Sequence, residues 1–117
     1  MVLAYLFGWL PAAASRLATV NDGNNNTATY SYLANSALVG HFAFATNGVA
    51  RMTTAKTYDY LNRLTGISSQ PGAAGLLPLA CSYAYNAANQ RRKDTLADGS
   101  HWVYGNDSLE QVSVLIL

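Results

Sequence analysis

The sequence has few cysteines and few charged residues, and each shortage excludes certain classes of protein. A single cysteine, Cys81, excludes an internal disulfide framework and a cysteine-based zinc cluster. We interpret Cys81 as a small buried core residue, with a reactive thiol as the less favoured alternative. Only 11% of the residues are charged and the net charge is +1, so no strong field exists to recruit nucleic acid or anionic lipid.

Long apolar runs are missing as well. The most apolar segment, residues 1–14, is shorter than the about 20 residues that a membrane-spanning helix needs, so we expect no membrane span. It resembles a signal peptide in its apolar stretch and following small residues, but no positive charge precedes that stretch. We favour an atypical N-terminal segment at 1–14, followed by one domain over 15–117. Half of the chain is apolar, which allows a buried core and argues against disorder.

Turn signals recur along the rest of the chain. Residues 21–23 open a polar loop through 26, and the dipeptides Asn47-Gly48 and Asp98-Gly99 favour type I′ turns. Residues 69–78 form a flexible connection within the array. Between these signals lie alternating apolar and polar segments, which predict strands at 27–33, 38–46, 49–58, 63–68, 76–85, 91–96 and 100–104. The predicted fold is all-β, with consecutive antiparallel β-hairpins in an open, twisted sheet.

One short stretch repeats. The sequence TYDYLNRL at 57–64 is echoed by AYNAANQR at 84–91 and more faintly by GNDSLEQV at 105–112. Residues 15–20 look like the second half of an earlier copy. The stretch that holds Tyr30 and Tyr32 looks like a degenerate copy. Units of this length, spaced by just over 20 residues, indicate an array in which each unit packs against its neighbours.

The spacing within the unit has a physical logic. Tyr58 ends a strand, with its ring packed inward and its hydroxyl on a polar partner. Asp59 accepts hydrogen bonds from backbone N–H groups two or three residues ahead, and Asn62 tolerates the positive φ expected there. Arg63 then runs along a surface and Leu64 enters the core. The unit forms hairpins and contains no pair of nucleophile and base.

These residues resemble the YD repeat of RHS-repeat proteins. The first copy is Tyr58-Asp59-x-x-Asn62-Arg63-Leu64. The second copy is Tyr85-Asn86-x-x-Asn89-Gln90-Arg91, which is similar to a longer variant of the repeat with one extra residue before the arginine. Asp107 marks a third copy. The resemblance covers residues 15–113. It implies tandem hairpins that wind into a large hollow shell around a toxin or other payload, on the cell surface or secreted, as in bacterial polymorphic toxins, insecticidal toxin complexes and teneurins. The partners that it implies are further YD repeats of a longer parent protein.

Three departures indicate an excised or decayed piece of such a shell. Asn106 stands where the repeat has tyrosine, and Glu110 stands at the position that needs positive φ, at a cost of about 1 kcal/mol. Asp94 lies where the family tends to be apolar. The family's payload-release segment with paired Asp-Pro motifs is also missing from the sequence.

Other chemistry has weaker support, so we expect a non-enzymatic structural fragment without cofactor or metal. Asp98, Ser100 and His101 are explained by the turn at 98–99, and no G-x-S-x-G motif frames a nucleophile. The basic cluster at 90–94 reads as a solvated strand, not as a nucleic-acid site. The eight tyrosines and two tryptophans leave a carbohydrate-binding surface as the alternative function. Because the array stops at both ends and residues 112–117 form an uncharged edge strand, we also expect self-association.

Overall fold

The computed structural model describes residues 5–6 and 16–116, and these residues form one open antiparallel β-sheet. Every regular element in them is a strand. Each strand pairs with the strands before and after it in sequence, so the order in the sheet is the order along the chain. The strands are β1 Tyr5–Leu6, β2 Thr19–Asn21, β3 Asn26–Tyr32, β4 Val39–Thr46, β5 Val49–Tyr58, β6 Leu64–Pro71, β7 Leu79–Tyr85, β8 Arg91–Leu96, β9 His101–Asn106 and β10 Val112–Ile116. The predicted class, all-β with antiparallel hairpins, is confirmed.

The predicted strand limits are close, with one clear error at the connection 69–78. Strand β6 continues to Pro71, because the long strand β5 supplies backbone partners as far as Met52. Strand β7 begins only at Leu79, directly after Pro78, which has no N–H to give to a ladder. The predicted N-terminal segment 1–14 lies outside the described residues except for β1, which pairs with β2.

Only one of the two predicted type I′ turns is present. Asn47 and Gly48 both have positive φ, at 51° and 74°, as this turn requires. At the second site the loop has three residues, because Gly99 N donates to Leu96 O at 3.0 Å and only Gly99 is left-handed, with φ of 84°. The prediction of a type I′ turn centred on Asp98 and Gly99 is therefore wrong: Gly99 is the left-handed last residue of a three-residue loop.

The two faces of the sheet differ in side-chain size. Pairing across the strands places Tyr30 beside Phe42, and Phe42 beside Thr54, and paired residues share a face. We call this the aromatic face; its larger members are Tyr30, Phe42, Phe44, Met52, Ile67, Leu79, Tyr83, Trp102 and Tyr104. The opposite face carries many small residues, among them Thr53, Ala55, Gly66 and Ser82, together with a few larger ones such as Lys93.

The described side chains do not form the expected hydrophobic core. Among residues 16–112, whose side chains are described, no apolar side chain is buried, and Leu79 is 75% exposed. Leu64 and Cys81 are only half-buried, so the predictions that they enter a core are wrong. A single layer leaves both faces open to water, and a sheet buries apolar side chains only against a second layer.

Candidate functional site

Four of the connections between strands lie at the same end of the sheet. In an up-and-down sheet the loops alternate between the two ends of the strands, so the loops after β3, β5, β7 and β9 share one end. We call this end the turn side. It holds the predicted copies of the repeat at residues 59–63, 86–90 and 107–111, together with the degenerate loop at 33–38.

The turn at 59–63 is closed by one carboxylate. Asp59 Oδ1 accepts hydrogen bonds from Leu61 N at 2.9 Å and Arg63 N at 3.0 Å, and Asp59 N donates to Arg63 O at 3.0 Å. Asn62 has a φ of 61°, as expected. The donors are thus two and four residues ahead of Asp59, not two and three, because the left-handed residue turns the fourth N–H back towards the carboxylate. We call this arrangement a capped turn.

The other two copies repeat the geometry closely. Asn86 Oδ1 accepts from Ala88 N at 2.9 Å and Gln90 N at 3.0 Å. Asp107 Oδ1 accepts from Leu109 N at 2.8 Å and Gln111 N at 2.9 Å. The left-handed positions are Asn89 and Glu110, with φ of 62° and 61°. The strained glutamate expected from the sequence is therefore present.

A fourth capped turn was missed by the sequence reading. Asp22 Oδ1 accepts from Asn24 N at 2.7 Å and Asn26 N at 3.1 Å, and Asn25 has a φ of 63°. The signal was available, since an aspartate precedes an asparagine by three positions here as in the turn at 59–63. The turn does not match the repeat because Asn21 stands in place of the tyrosine. It also follows β2, so it lies at the end of the sheet opposite the turn side.

Arg63 connects its own turn to the next one. Its Nε donates to Asp59 Oδ2 at 2.6 Å, and its Nη1 donates to Asn89 Oδ1 at 2.8 Å. The guanidinium also lies over the ring of Tyr85, 4.8 Å from the centroid. The Tyr85 hydroxyl in turn donates to Leu64 O at 2.5 Å. Arginine and tyrosine thus tie two successive hairpins together through charge-assisted hydrogen bonds and a cation–π contact.

The same pair of contacts occurs earlier in the chain. The Arg16 guanidinium lies 4.8 Å from the centroid of the Tyr32 ring and donates to Ser36 O. The Tyr32 hydroxyl donates to Leu17 O at 2.7 Å. Arg16, Leu17 and Tyr32 therefore reproduce the contact between Arg63, Leu64 and Tyr85, which we call the arginine–tyrosine step. Tyr58 also donates its hydroxyl backwards along the sheet, to Val39 O at 2.9 Å.

The second capped turn corresponds to the first residue by residue. Gln90, not Arg91, takes the place of Arg63: Asn86 N donates to Gln90 O, and the Asn86 side chain donates to Gln90 Oε1 at 2.8 Å. The two turns have equal length, so Gln90 is the extra residue before the arginine, and Arg91 takes the place of Leu64 in the strand pairing. Arg91 instead lies over the Tyr83 ring, 4.3 Å from its centroid, with Nε 3.5 Å from Asp94 Oδ1.

Hydrogen bonding perturbs several acidic groups at these turns. For Asp59, desolvation raises the pKa, but the hydrogen bonds from Arg63 and Leu61 and the charge of Arg63 outweigh it, so the pKa lies below the ordinary value of 3.8. The hydrogen bond to Asp94, at 2.9 Å, raises the pKa of Tyr104 above its ordinary range. These are shifts that hydrogen bonds within a fold produce.

The residues considered for catalysis and metal binding are arranged as a turn. The Ser100 hydroxyl and N–H both bond Asp98 Oδ1, at 2.5 and 2.9 Å. His101 Nδ1 lies 3.4 Å from Gly99 O, so its ring nitrogen contacts the backbone of its own loop. Within the part of the chain that the structure describes, no group of three or more histidine, cysteine, aspartate or glutamate side chains could hold a metal ion. A helix able to cross a membrane is likewise not found among the described residues.

Comparison with known proteins adds no family. No protein-family model matches the sequence, and no curated protein matches it significantly. The resemblance to YD repeats therefore stays a prediction.

Proposed function

We propose that this chain is a non-enzymatic structural segment of the YD-repeat type, whose hairpins build a wall together with further copies of the same unit. The observation that carries the proposal is the arginine–tyrosine step, which occurs twice, each time with the guanidinium over the tyrosine ring and the tyrosine hydroxyl on a leucine carbonyl of a neighbouring segment. Repeat proteins are held together in this way, by contacts between neighbouring units.

The single-layer sheet supports the same proposal. A sheet that buries no apolar side chain of residues 16–112 has little to stabilise it beyond hydrogen bonds and neighbour contacts. A wall of a hollow shell meets this condition, because its inner face is covered by whatever the shell encloses and its strands continue into the next unit. In the parent protein proposed here, that content is a toxin or other payload.

The test is to join two copies of the full chain head to tail and compare their unfolding with that of one copy. In a repeat array each added interface raises the unfolding midpoint and the cooperativity. We therefore expect the joined chain to melt at a higher temperature than the single chain. Equal midpoints, or two independent transitions, would contradict the proposal.

The alternative is a carbohydrate-binding surface, favoured by the exposed ring of Trp102, 38% exposed on the aromatic face. A glycan array separates the two functions. Saturable binding that Trp102→Ala abolishes, while the exposed Tyr60→Ala in a turn leaves it intact, would favour sugar recognition. A panel of ester and glycoside substrates, compared between the wild-type chain and Ser100→Ala, tests for hydrolase activity.

A further inference from the structure

A cavity on the turn side lies where the next arginine–tyrosine step should be. It is lined by Gln90, Arg91, Tyr104, Asn106, Glu110 and Val112, with a volume of about 500 Å³. We call it the seat. Its position follows from the strand pairing: Asn106 lies opposite Val112 directly before a capped turn, as Tyr85 lies opposite Arg91 and Tyr58 opposite Leu64.

Each wall of the seat has a counterpart around the ring of Tyr85. Gln90 corresponds to Arg63, and Glu110 corresponds to Asn89, since each holds the same position in its capped turn. Tyr104 corresponds to Tyr83, two residues before the end of its strand. In the preceding step the tyrosine ring fills this space. Here the corresponding residue is Asn106, whose Nδ2 donates to Glu110 O at 3.4 Å, and the space stays open.

The groups that would meet a ring are held in place. The Gln90 side chain accepts from Asn86 at 2.8 Å, and the Tyr104 hydroxyl donates to Asp94 at 2.9 Å. The ring of Tyr104 and the exposed side chain of Val112 supply apolar contact. In the two filled steps the phenolic hydroxyl donates to the carbonyl of Leu17 or Leu64. The corresponding carbonyl is that of Arg91, and a carbonyl oxygen has two lone pairs for such bonds.

We propose that the seat is a binding site for a phenol ring, of the kind that a tyrosine side chain of a partner polypeptide presents. The ring lies in the place that Tyr85 takes in the previous step, with its hydroxyl donated to Arg91 O. The two arginine–tyrosine steps of the chain indicate the ligand. They show that a phenol ring fits between residues in these positions and that its hydroxyl donates to a backbone carbonyl. This site is independent of the shell function, because an isolated chain can show it.

The test is a titration of the full-length chain with p-cresol, a tyrosine side-chain mimic, followed by the amide signals in ¹⁵N–¹H NMR spectra. We expect saturable shifts at Gln90, Asn106 and Glu110. Toluene, which lacks the hydroxyl, should bind about threefold to tenfold more weakly, as the loss of one hydrogen bond predicts. Shifts spread evenly over the aromatic face, or an equal affinity for toluene, would overturn the proposal.

Filling the seat covalently gives the decisive comparison. Asn106→Tyr places the ring in the chain itself, so p-cresol binding should fall by at least about tenfold. Asn106→Phe should block it as well, which covers the case in which one variant folds poorly. Thr53→Tyr, on the opposite face, adds the same side chain elsewhere and should leave binding unchanged. If both Asn106 variants fold and bind p-cresol as the wild-type chain does, the site is not the seat.

Discussion

Glu110 and Asn62 occupy the same position in two capped turns but tolerate it differently. Both have φ near 61°, a left-handed conformation that asparagine adopts readily and glutamate resists. Glu110→Asn should therefore raise the free energy of unfolding by about 0.5–1 kcal/mol, and the reverse change Asn62→Glu should lower it by a similar amount. Urea unfolding of the two variants measures both effects. Equal stabilities of all three chains would mean that the strain is absorbed elsewhere.

Asp59 makes the fold sensitive to acid. Its pKa in the folded chain lies below the ordinary value of 3.8, so the carboxylate contributes stability above that pH, and the contribution is lost as the pH falls through the folded value. Asp59→Asn keeps an oxygen that can cap the turn, as Asn86 does, but it has no charge to lose. We expect a flatter dependence of stability on pH below about 4 for this variant, measured by urea unfolding at several pH values.

The reverse change provides the control for that experiment. Asn86→Asp adds a carboxylate that accepts the same two backbone N–H groups, and such bonds lower a carboxyl pKa. This variant should lose stability more steeply in acid than the wild-type chain. An Asp59→Asn chain as acid-sensitive as the wild type would show that the other acidic groups dominate.

At the scale of the hairpin, the arginine–tyrosine step joins β5 and β6 to β7 and β8. Arg63→Ala removes the bonds to Asp59 and Asn89 and the contact with Tyr85, and Tyr85→Phe removes the hydroxyl bond to Leu64 O. Each change should lower the free energy of unfolding by about 1 kcal/mol. The exposed Arg92→Ala is the matched control and should have little effect.

The two changes should not be additive, because they act on one contact. In a double-mutant cycle we expect a coupling energy of at least about 0.5 kcal/mol between Arg63 and Tyr85. Hydrogen exchange should also become faster in β7 when Arg63 is replaced, since the next hairpin loses its tie. Additive losses, with exchange unchanged in β7, would contradict the role given to this step.

At this scale the local turn chemistry could be predicted from the sequence. Matching residues by type alone could not predict which residue takes the place of Arg63 in the second copy. Asp59 and Glu110 were placed correctly because the spacing from a capping oxygen to a left-handed residue is set by the backbone. In the second copy the arginine comes one residue later, at Arg91, which pairs with Tyr85 as Leu64 pairs with Tyr58. The structural equivalence follows the backbone bond to the capping residue, and that bond ends at Gln90.

At the scale of the whole molecule, the prediction from sequence that was wrong is the buried hydrophobic core. An alternating strand pattern marks which side chains share a face, but it does not say whether a second layer comes from the same chain. Tyr30 and Phe42 do meet edge to face, with centroids 5.0 Å apart, as the pattern indicates. They nevertheless form an open surface, because every strand in the described part of the chain belongs to one sheet.

This architecture leads to the last prediction, that the chain self-associates in solution. Strand β10 is at the end of the sheet order, with one neighbour, β9, and its free backbone groups are a template for another strand. The aromatic face offers a second surface, where Leu79 is 75% exposed. Light scattering should detect species larger than the 12.5 kDa chain.

Two lysine substitutions distinguish association through the edge strand from association through the aromatic face. Val114→Lys puts a charge in the edge strand, which opposes strand addition, and Leu79→Lys puts one on the aromatic face. If the edge drives association, only the first variant becomes monomeric; if the face drives it, only the second does. Edge pairing is the expected route, because backbone bonding at the end of a sheet repeats the contact that every internal strand already makes. A wild-type chain that stays monomeric and unfolds cooperatively would show that one layer with capped turns is stable on its own.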